Sequence, residues 1–214
     1  MYKYIFFDLD GTLTDPGEGI TKSVEYALNK YGIQVEDRRS LYKFIGPPLT
    51  DSFSEFYGFS EEKAVEAVSF YREYFGVTGL FENEVYDGIV SVLETLKERG
   101  MHLLVATSKP EEYSVRILDK FGLSGYFDFI CGATMSGSRV KKADIIAYAL
   151  ESAGVEDKSE VLMVGDRHHD IDGAKVNGLD SMGVTYGYGD RAELEEAGAD
   201  YIVDAPMEIL DYAR

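Results

Sequence analysis

The sequence lacks any apolar run near the roughly 18 residues that a membrane-crossing helix needs, so no helical membrane span and no membrane partner is expected. It has a single cysteine in 214 residues. Cys131 therefore has no internal disulfide partner, which fits a reducing compartment, and a cytoplasmic location is expected. Its setting, Phe129-Ile130-Cys131-Gly132, reads as a strand end, so a buried structural thiol is expected rather than a nucleophile. Basic charge is scarce too: 21 Lys and Arg stand against 39 Asp and Glu, a formal net charge of −18. Without a basic stripe to neutralise phosphates, no nucleic-acid partner is expected. The first residues show no basic region leading into an apolar stretch, so no secretory leader is expected. No internal repeat or low-complexity stretch stands out. What remains, 45% hydrophobic and 28% charged residues, suits a soluble globular chain. The length suits one large α/β domain or a core domain with a small insert.

The most informative segment is Tyr4-Ile5-Phe6-Phe7-Asp8-Leu9-Asp10-Gly11-Thr12-Leu13. An apolar, strand-like run drives into two carboxylates spaced i, i+2. Period-two geometry lets Asp8 and Asp10 reach one small space at the strand's C-terminal edge. Two acids there repel unless a cation or a shared proton compensates. That is costly for a plain turn and useful for metal-assisted chemistry.

From Gly17 to about Asn83 nothing reads as a strand. Ile20, Val24, Ala27, Leu28 and Tyr31 follow helical spacing with Gly32 as the stop. Residues 38–44 and 51–57 read as short helices, and Ser60 N-caps a helix running toward Phe75. After this region helices alternate with short apolar strands. Helices are expected at 88–99, 111–121, 142–153, 170–177, 191–197 and 207–212. Strands are expected at 102–106, 127–131, 161–164, 180–184 and 201–203. Alternation of this kind predicts a doubly wound parallel sheet with helices on both faces. The first strand precedes the helical stretch, so that stretch is an insert. The expected division is a discontinuous α/β core, residues 1–15 and 84–214, with an all-helical insert at 16–83. Ligands of such sheets bind at the carboxyl ends of the strands.

Three later segments also place polar residues at strand ends: Ala106-Thr107-Ser108-Lys109, Arg139-Val140-Lys141-Lys142, and Gly165-Asp166-Arg167-His168-His169-Asp170. Together with Asp8-Leu9-Asp10-Gly11-Thr12, their order resembles the four motifs of the haloacid dehalogenase superfamily, aspartate-nucleophile phosphatases with a Rossmann-like core. The resemblance implies Asp8 as nucleophile and Asp10 as general acid and base. It implies Thr107, with Ser108 as helper, as phosphate-binding residues. It implies Lys142 as the cation that neutralises nucleophile and phosphate, with Lys141 as runner-up because the usual Lys-Pro is here Lys142-Ala143. It also implies a Mg²⁺ site built from Asp8, Asp10 (through its main-chain carbonyl), Asp166 and Asp170. An acid at position 10 favours phosphoryl transfer over carbon–halogen hydrolysis. His168 and His169 invite a transition-metal reading, but adjacent residues are expected to point apart, and they are taken as loop residues. Asp172 is taken as a solvated or helix-start acid. The global charge repels an anionic ester, so the cation and a few lysines must reverse the sign locally.

The insert resembles the small helical cap of one subclass, which closes over the phosphate site and reads the leaving group. Phe44-Ile45-Gly46-Pro47-Pro48-Leu49 and the linker Leu80-Phe81-Glu82-Asn83 resemble phosphoglycolate phosphatases and bacterial 5′-nucleotidase-like phosphatases. Phe53, Phe56, Tyr57, Phe70, Tyr71, Tyr74 and Phe75 are expected mostly in the cap core. Lys43 reads as a surface lysine, and Gly76 and Gly79 as candidate hinge positions. The expected activity is Mg²⁺-dependent hydrolysis of a small phosphate monoester, phosphoglycolate or a nucleoside monophosphate, through an aspartyl-phosphate. A phosphosugar mutase and an idle binding scaffold are the alternatives. The expected partner is a small phosphorylated metabolite, and the expected state a monomer or weak homodimer.

Overall fold

The computed structural model describes residues 1–213. β1 (Tyr4–Phe7) opens the chain and the short β2 (Thr14–Asp15) follows the first acidic turn. Next come α1 (Gly17–Asn29), α2 (Leu49–Tyr57), α3 (Glu61–Phe75) and the short β3 (Glu84–Val85). Then α4 (Ile89–Glu98), β4 (His102–Pro110), α5 (Glu111–Lys120) and β5 (Phe129–Ala133) alternate. α6 (Lys142–Ser152), β6 (Val161–Gly165), α7 (His168–Asn177) and β7 (Asp180–Val184) continue the pattern. α8 (Arg191–Ala197), β8 (Tyr201–Val203) and α9 (Ile209–Tyr212) complete it. The chain divides into two compact units, Met1–Thr14 with everything from Val85 onward, and Asp15–Glu84.

In the first unit six parallel strands lie in the order β5-β4-β1-β6-β7-β8. The chain steps outward from β1 to β4 and β5, then returns across β1 to β6, β7 and β8. This reversal puts the switch point of a doubly wound sheet at the carboxyl end of β1, where such folds form their ligand crevice. Flanking helices cover the sheet, so its central strands are apolar at every position. Ile5, Phe6 and Phe7, and Val161 through Val164, are all fully buried. Each such side chain contributes about 1.5–3 kcal/mol by leaving water. On one face Ile145, Ile146 and Ala149 of α6 pack with Phe6, Leu104 and Met163. Phe7 is level with Val105 on β4 and Val164 on β6. Asp8 therefore leaves β1 level with Ala106 and Gly165, at the carboxyl edge of the sheet.

Several boundaries differ from the sequence expectation, among them β4, which runs on to Pro110 rather than ending at 106. β5 starts at Phe129 rather than 127, because a 3₁₀ turn at Ser124–Tyr126 uses the preceding residues, with the Phe127 N–H donating to the Ser124 carbonyl at 3.2 Å. α7 starts at His168 rather than 170, since the Asp170 carboxylate accepts the Arg167 N–H at 3.1 Å and closes the first turn. His168 and His169 are thus helical, not loop, residues. The segment expected as one C-terminal helix splits into a 3₁₀ turn at Pro206–Glu208 and α9.

The second unit is helical. Residues 38–44 form a 3₁₀ helix where a helical turn was expected, started by the Asp37 carboxylate accepting the Arg39 N–H at 2.9 Å. Ser60 N-caps α3 by accepting the Lys63 N–H at 3.3 Å. Phe44 centres an aromatic cluster, with ring centroids 5.1 Å from Phe53, 5.4 Å from Phe56 and 6.0 Å from Tyr57. Phe53, Tyr71 and Phe75 are buried. Lys43 is exposed and rests over the Phe56 ring at 4.3 Å. A side chain at Gly79 would meet Ser23 Oγ and the Gly19 carbonyl, so this glycine serves the close approach of α1 and the turn at Gly79–Phe81.

Candidate active site

The first acidic turn is shaped by one carbonyl and one glycine. The Leu9 carbonyl accepts the N–H groups of Thr12, Leu13 and Thr14 at 3.3, 2.9 and 3.0 Å. Gly11 sits at φ +82°, which a residue with a side chain adopts only under strain. A Cβ there would also collide with the Asp166 carboxylate. Leu9 is fully buried in the core. Asp8 and Asp10, one residue to either side of it, share the opposite direction and are 5% and 8% exposed.

The structure gathers most of the expected residues around this pair, all within the first unit. Lys142 opens α6 and its Nζ lies 2.7 Å from both Asp8 Oδ1 and Asp170 Oδ1. Nζ also donates to the Ala106 carbonyl at 3.0 Å. Burial alone would discharge this lysine, but Asp170 and Asp8 outweigh burial and hold its pKa above the usual range. Lys141 is exposed, and it is Lys142 that faces the carboxylates. Asp166 follows β6, with Oδ2 accepting the Tyr188 N–H at 2.8 Å and Oδ1 accepting the Thr12 hydroxyl at 3.3 Å. Thr107 ends the regular part of β4, is buried, and accepts the Lys109 N–H at 3.3 Å. Ser108 beside it is half-buried.

Carboxylate oxygens of Asp8, Asp166 and Asp170 lie within 4.8 Å of one another. Burial, then Asp170 and Asp8, push the Asp166 pKa well above the ordinary carboxylate range. Burial pushes Asp170 up to about 6 despite Lys142. Asp10 is raised by burial while Lys109, with its Nζ 2.6 Å from Asp10 Oδ2, pulls the other way. Four buried carboxylates thus face two buried ammonium groups. If all four are ionised, two negative charges are left over; a divalent cation would offset them, and an all-oxygen donor set suits a hard one. The Asp10 side chain stands with Lys109, outside the three-carboxylate group.

The two histidines take no part in that group. Their rings lie together, 3.8 Å between centroids, contrary to the expectation that neighbours point apart. Instead His168 Nδ1 lies 2.8 Å from Glu193 Oε1. Burial, aided by His168, Arg167 and Lys142, pushes His169 down to about 4. Asp172 is exposed on α7. Cys131 is buried, and burial pushes its thiol up to about 11.

Sequence reasoning missed two residues that shape the site. Lys109 is given no role in the segment Ala106-Thr107-Ser108-Lys109, yet its Nζ reaches Asp10 past the irregular end of β4. Glu193 lies on α8, yet its Oε1 accepts the Arg167 Nε–H at 2.9 Å and the His168 N–H at 2.8 Å. It therefore braces the segment between Asp166 and Asp170. The only sequence signal for it is Asp190, three residues earlier, which accepts the Glu193 N–H at 2.8 Å and N-caps α8.

Comparison with known proteins agrees with this geometry. A 5′-nucleotidase of Pseudomonas aeruginosa is 49% identical over 193 residues, covering 90% of this chain and 87% of that protein. The tyrosine-protein kinase PtkA of Mycobacterium tuberculosis is 41% identical over 186 residues, and the match covers 86% of this chain and 62% of the kinase. A crystal structure of a predicted phosphatase from Clostridium acetobutylicum superposes with a TM-score of 0.97 at 53% identity, covering 99% of this chain and 98% of that one. Residues 5–184 match the family model described as haloacid dehalogenase-like hydrolase. The chain belongs to the haloacid dehalogenase-like hydrolase family.

Proposed function

We propose that the protein is a Mg²⁺-dependent phosphomonoesterase that works through a phosphorylated Asp8, with nucleoside monophosphates as the first substrate class. The observation that carries this reading is the Lys142 ammonium 2.7 Å from both Asp8 and Asp170, beside three clustered carboxylates. The nucleoside monophosphate class takes its support from the relative named 5′-nucleotidase.

Asp8, Asp166 and Asp170, with the Asp10 main-chain carbonyl, are the residues that would hold the cation. When bound, Mg²⁺ supplies positive charge that screens the approach of an anionic ester and the charge on the transferring group. Lys142 pairs with Asp8 and orients it, so an Asp8 oxygen attacks phosphorus while the ester P–O bond breaks. Asp10 gives its proton to the departing oxygen. It then takes a proton from the water that attacks the aspartyl-phosphate, returning Asp8 and releasing phosphate. A carboxyl whose pKa is raised by burial suits the first of these roles. Thr107 and Ser108 donate hydrogen bonds to the phosphoryl oxygens.

The test is phosphate release by wild type and Asp8→Asn, with and without Mg²⁺. The panel holds nucleoside monophosphates, phosphoglycolate, sugar phosphates and an aryl phosphate. The expected result is Mg²⁺-dependent release that falls by about three orders of magnitude or more in Asp8→Asn. Equal release by the variant contradicts the mechanism. No release from any ester moves the reading to a mutase or an idle scaffold, and a tyrosine peptide with ATP then becomes the informative substrate.

A further inference from the structure

β4 does not end cleanly. Its pairing with β5 is regular from Leu104 to Thr107, then shifts register before Pro110 meets Ala133. An irregularity of this kind re-aims side chains at a strand end. Here it turns Lys109 inward: the side chain is only 5% exposed and its Nζ lies 2.6 Å from Asp10 Oδ2. Burying an ammonium is costly unless it is paired. The cost is met for one specific carboxylate, since Lys142 covers Asp8 and Asp170. The other Asp10 oxygen, Oδ1, is buried with no hydrogen-bond partner. Asp10 is thus gripped by one oxygen while the second stands ready for a group not yet in place.

We infer that Lys109 is a positioning residue for Asp10, fixing the carboxyl through Oδ2 so that Oδ1 meets the leaving-group oxygen. The inference rests on the acid–base role given to Asp10 above. Lys109 also ties its own N–H to Thr107 Oγ1 at 3.3 Å, so one irregular strand end sets both the phosphate-binding hydroxyl and the proton donor. The step served is one proton moving from Asp10 to the oxygen freed as the ester P–O bond breaks. A phosphate-binding lysine would instead act on the phosphoryl group whatever the leaving group.

The experiment measures kcat/KM at saturating Mg²⁺ for phosphate esters from 2,4-dinitrophenyl through phenyl to alkyl, whose leaving groups need protonation increasingly. Wild type, Lys109→Met, Lys109→Arg, Asp10→Asn and the Lys109→Met/Asp10→Asn double variant are compared. Lys109→Met is expected to lose about a hundredfold on the alkyl ester and little on the dinitrophenyl ester, with partial recovery in Lys109→Arg. In the Asp10→Asn background Lys109→Met should cost nothing further. The circular dichroism spectrum and the Mg²⁺-induced rise in Tm report that each variant is folded. An equal loss on every ester, or no loss, overturns the inference. If Asp10→Asn itself shows no leaving-group dependence, the acid–base reading of Asp10 fails and this inference with it. If Asp10→Asn shows that dependence and Lys109→Met does not, the inference alone fails.

Discussion

Asp166 illustrates what a single buried charge costs at this site. Its pKa is raised well above normal by burial, Asp170 and Asp8. An acid whose folded pKa exceeds its unfolded value binds more protons when folded. Its ionisation therefore drains stability as pH rises from near 4 through the folded pKa. In chelator, Asp166→Asn should raise Tm relative to wild type, by more at pH 7.5 than at pH 4.5. The expected gain is several degrees, since about 1 kcal/mol moves Tm by about 2–4 °C in a chain of this size. With Mg²⁺ the order should reverse, because the variant loses a ligand. Calorimetry at both pH values checks this, and a pH-independent difference would contradict it. The same residue shows what the sequence revealed. A strand ending in Gly165-Asp166 marked Asp166 as a candidate metal ligand, whereas the Tyr188 N–H that holds it belongs to a loop more than twenty residues on, with no pattern of its own.

At the scale of elements, α8 shows why part of the site was not legible. The helix itself was legible, and its bounds are as expected. Its use was not, because Glu193 reaches residues that only the tertiary fold brings near. Its pKa is shifted by opposing effects, burial raising it and the His168 and Arg167 donors lowering it further. Glu193→Ala removes a brace behind Asp166 and Asp170. The Mg²⁺ concentration for half-maximal activity should rise about tenfold or more, with turnover at saturating Mg²⁺ nearly unchanged. Binding of Mn²⁺ followed by electron paramagnetic resonance should weaken in parallel. A fall in saturated turnover with unaltered metal binding would contradict this role. Central strands were legible because apolar runs buried on both sides leave few alternatives. The displaced start of β5 and the 3₁₀ form of residues 38–44 were not, since each follows from one local hydrogen bond.

For the molecule as a whole, the net charge of −18 bears on encounter with substrate. Two buried lysines and the proposed divalent cation would act over a few ångströms, while the acidic surface acts on an approaching dianion at longer range. Salt shortens that range, to about 8 Å at physiological ionic strength. At fixed free Mg²⁺, kcat/KM for a phosphate dianion should therefore rise severalfold between about 10 and 150 mM NaCl. A fall over that range would mean the local positive field dominates the approach. No helix among the described residues is long and apolar enough to cross a membrane.

The central claim is that Asp8 carries the phosphoryl group during turnover. Wild-type enzyme is mixed with excess nucleoside monophosphate and Mg²⁺, quenched in acid within milliseconds, digested and analysed by peptide mass spectrometry. The account predicts a base-labile phosphoryl group on Asp8, absent in Asp8→Asn and absent when Mg²⁺ is chelated. Phosphate release at full rate with Asp8 never phosphorylated, or with the label on another residue, would contradict it.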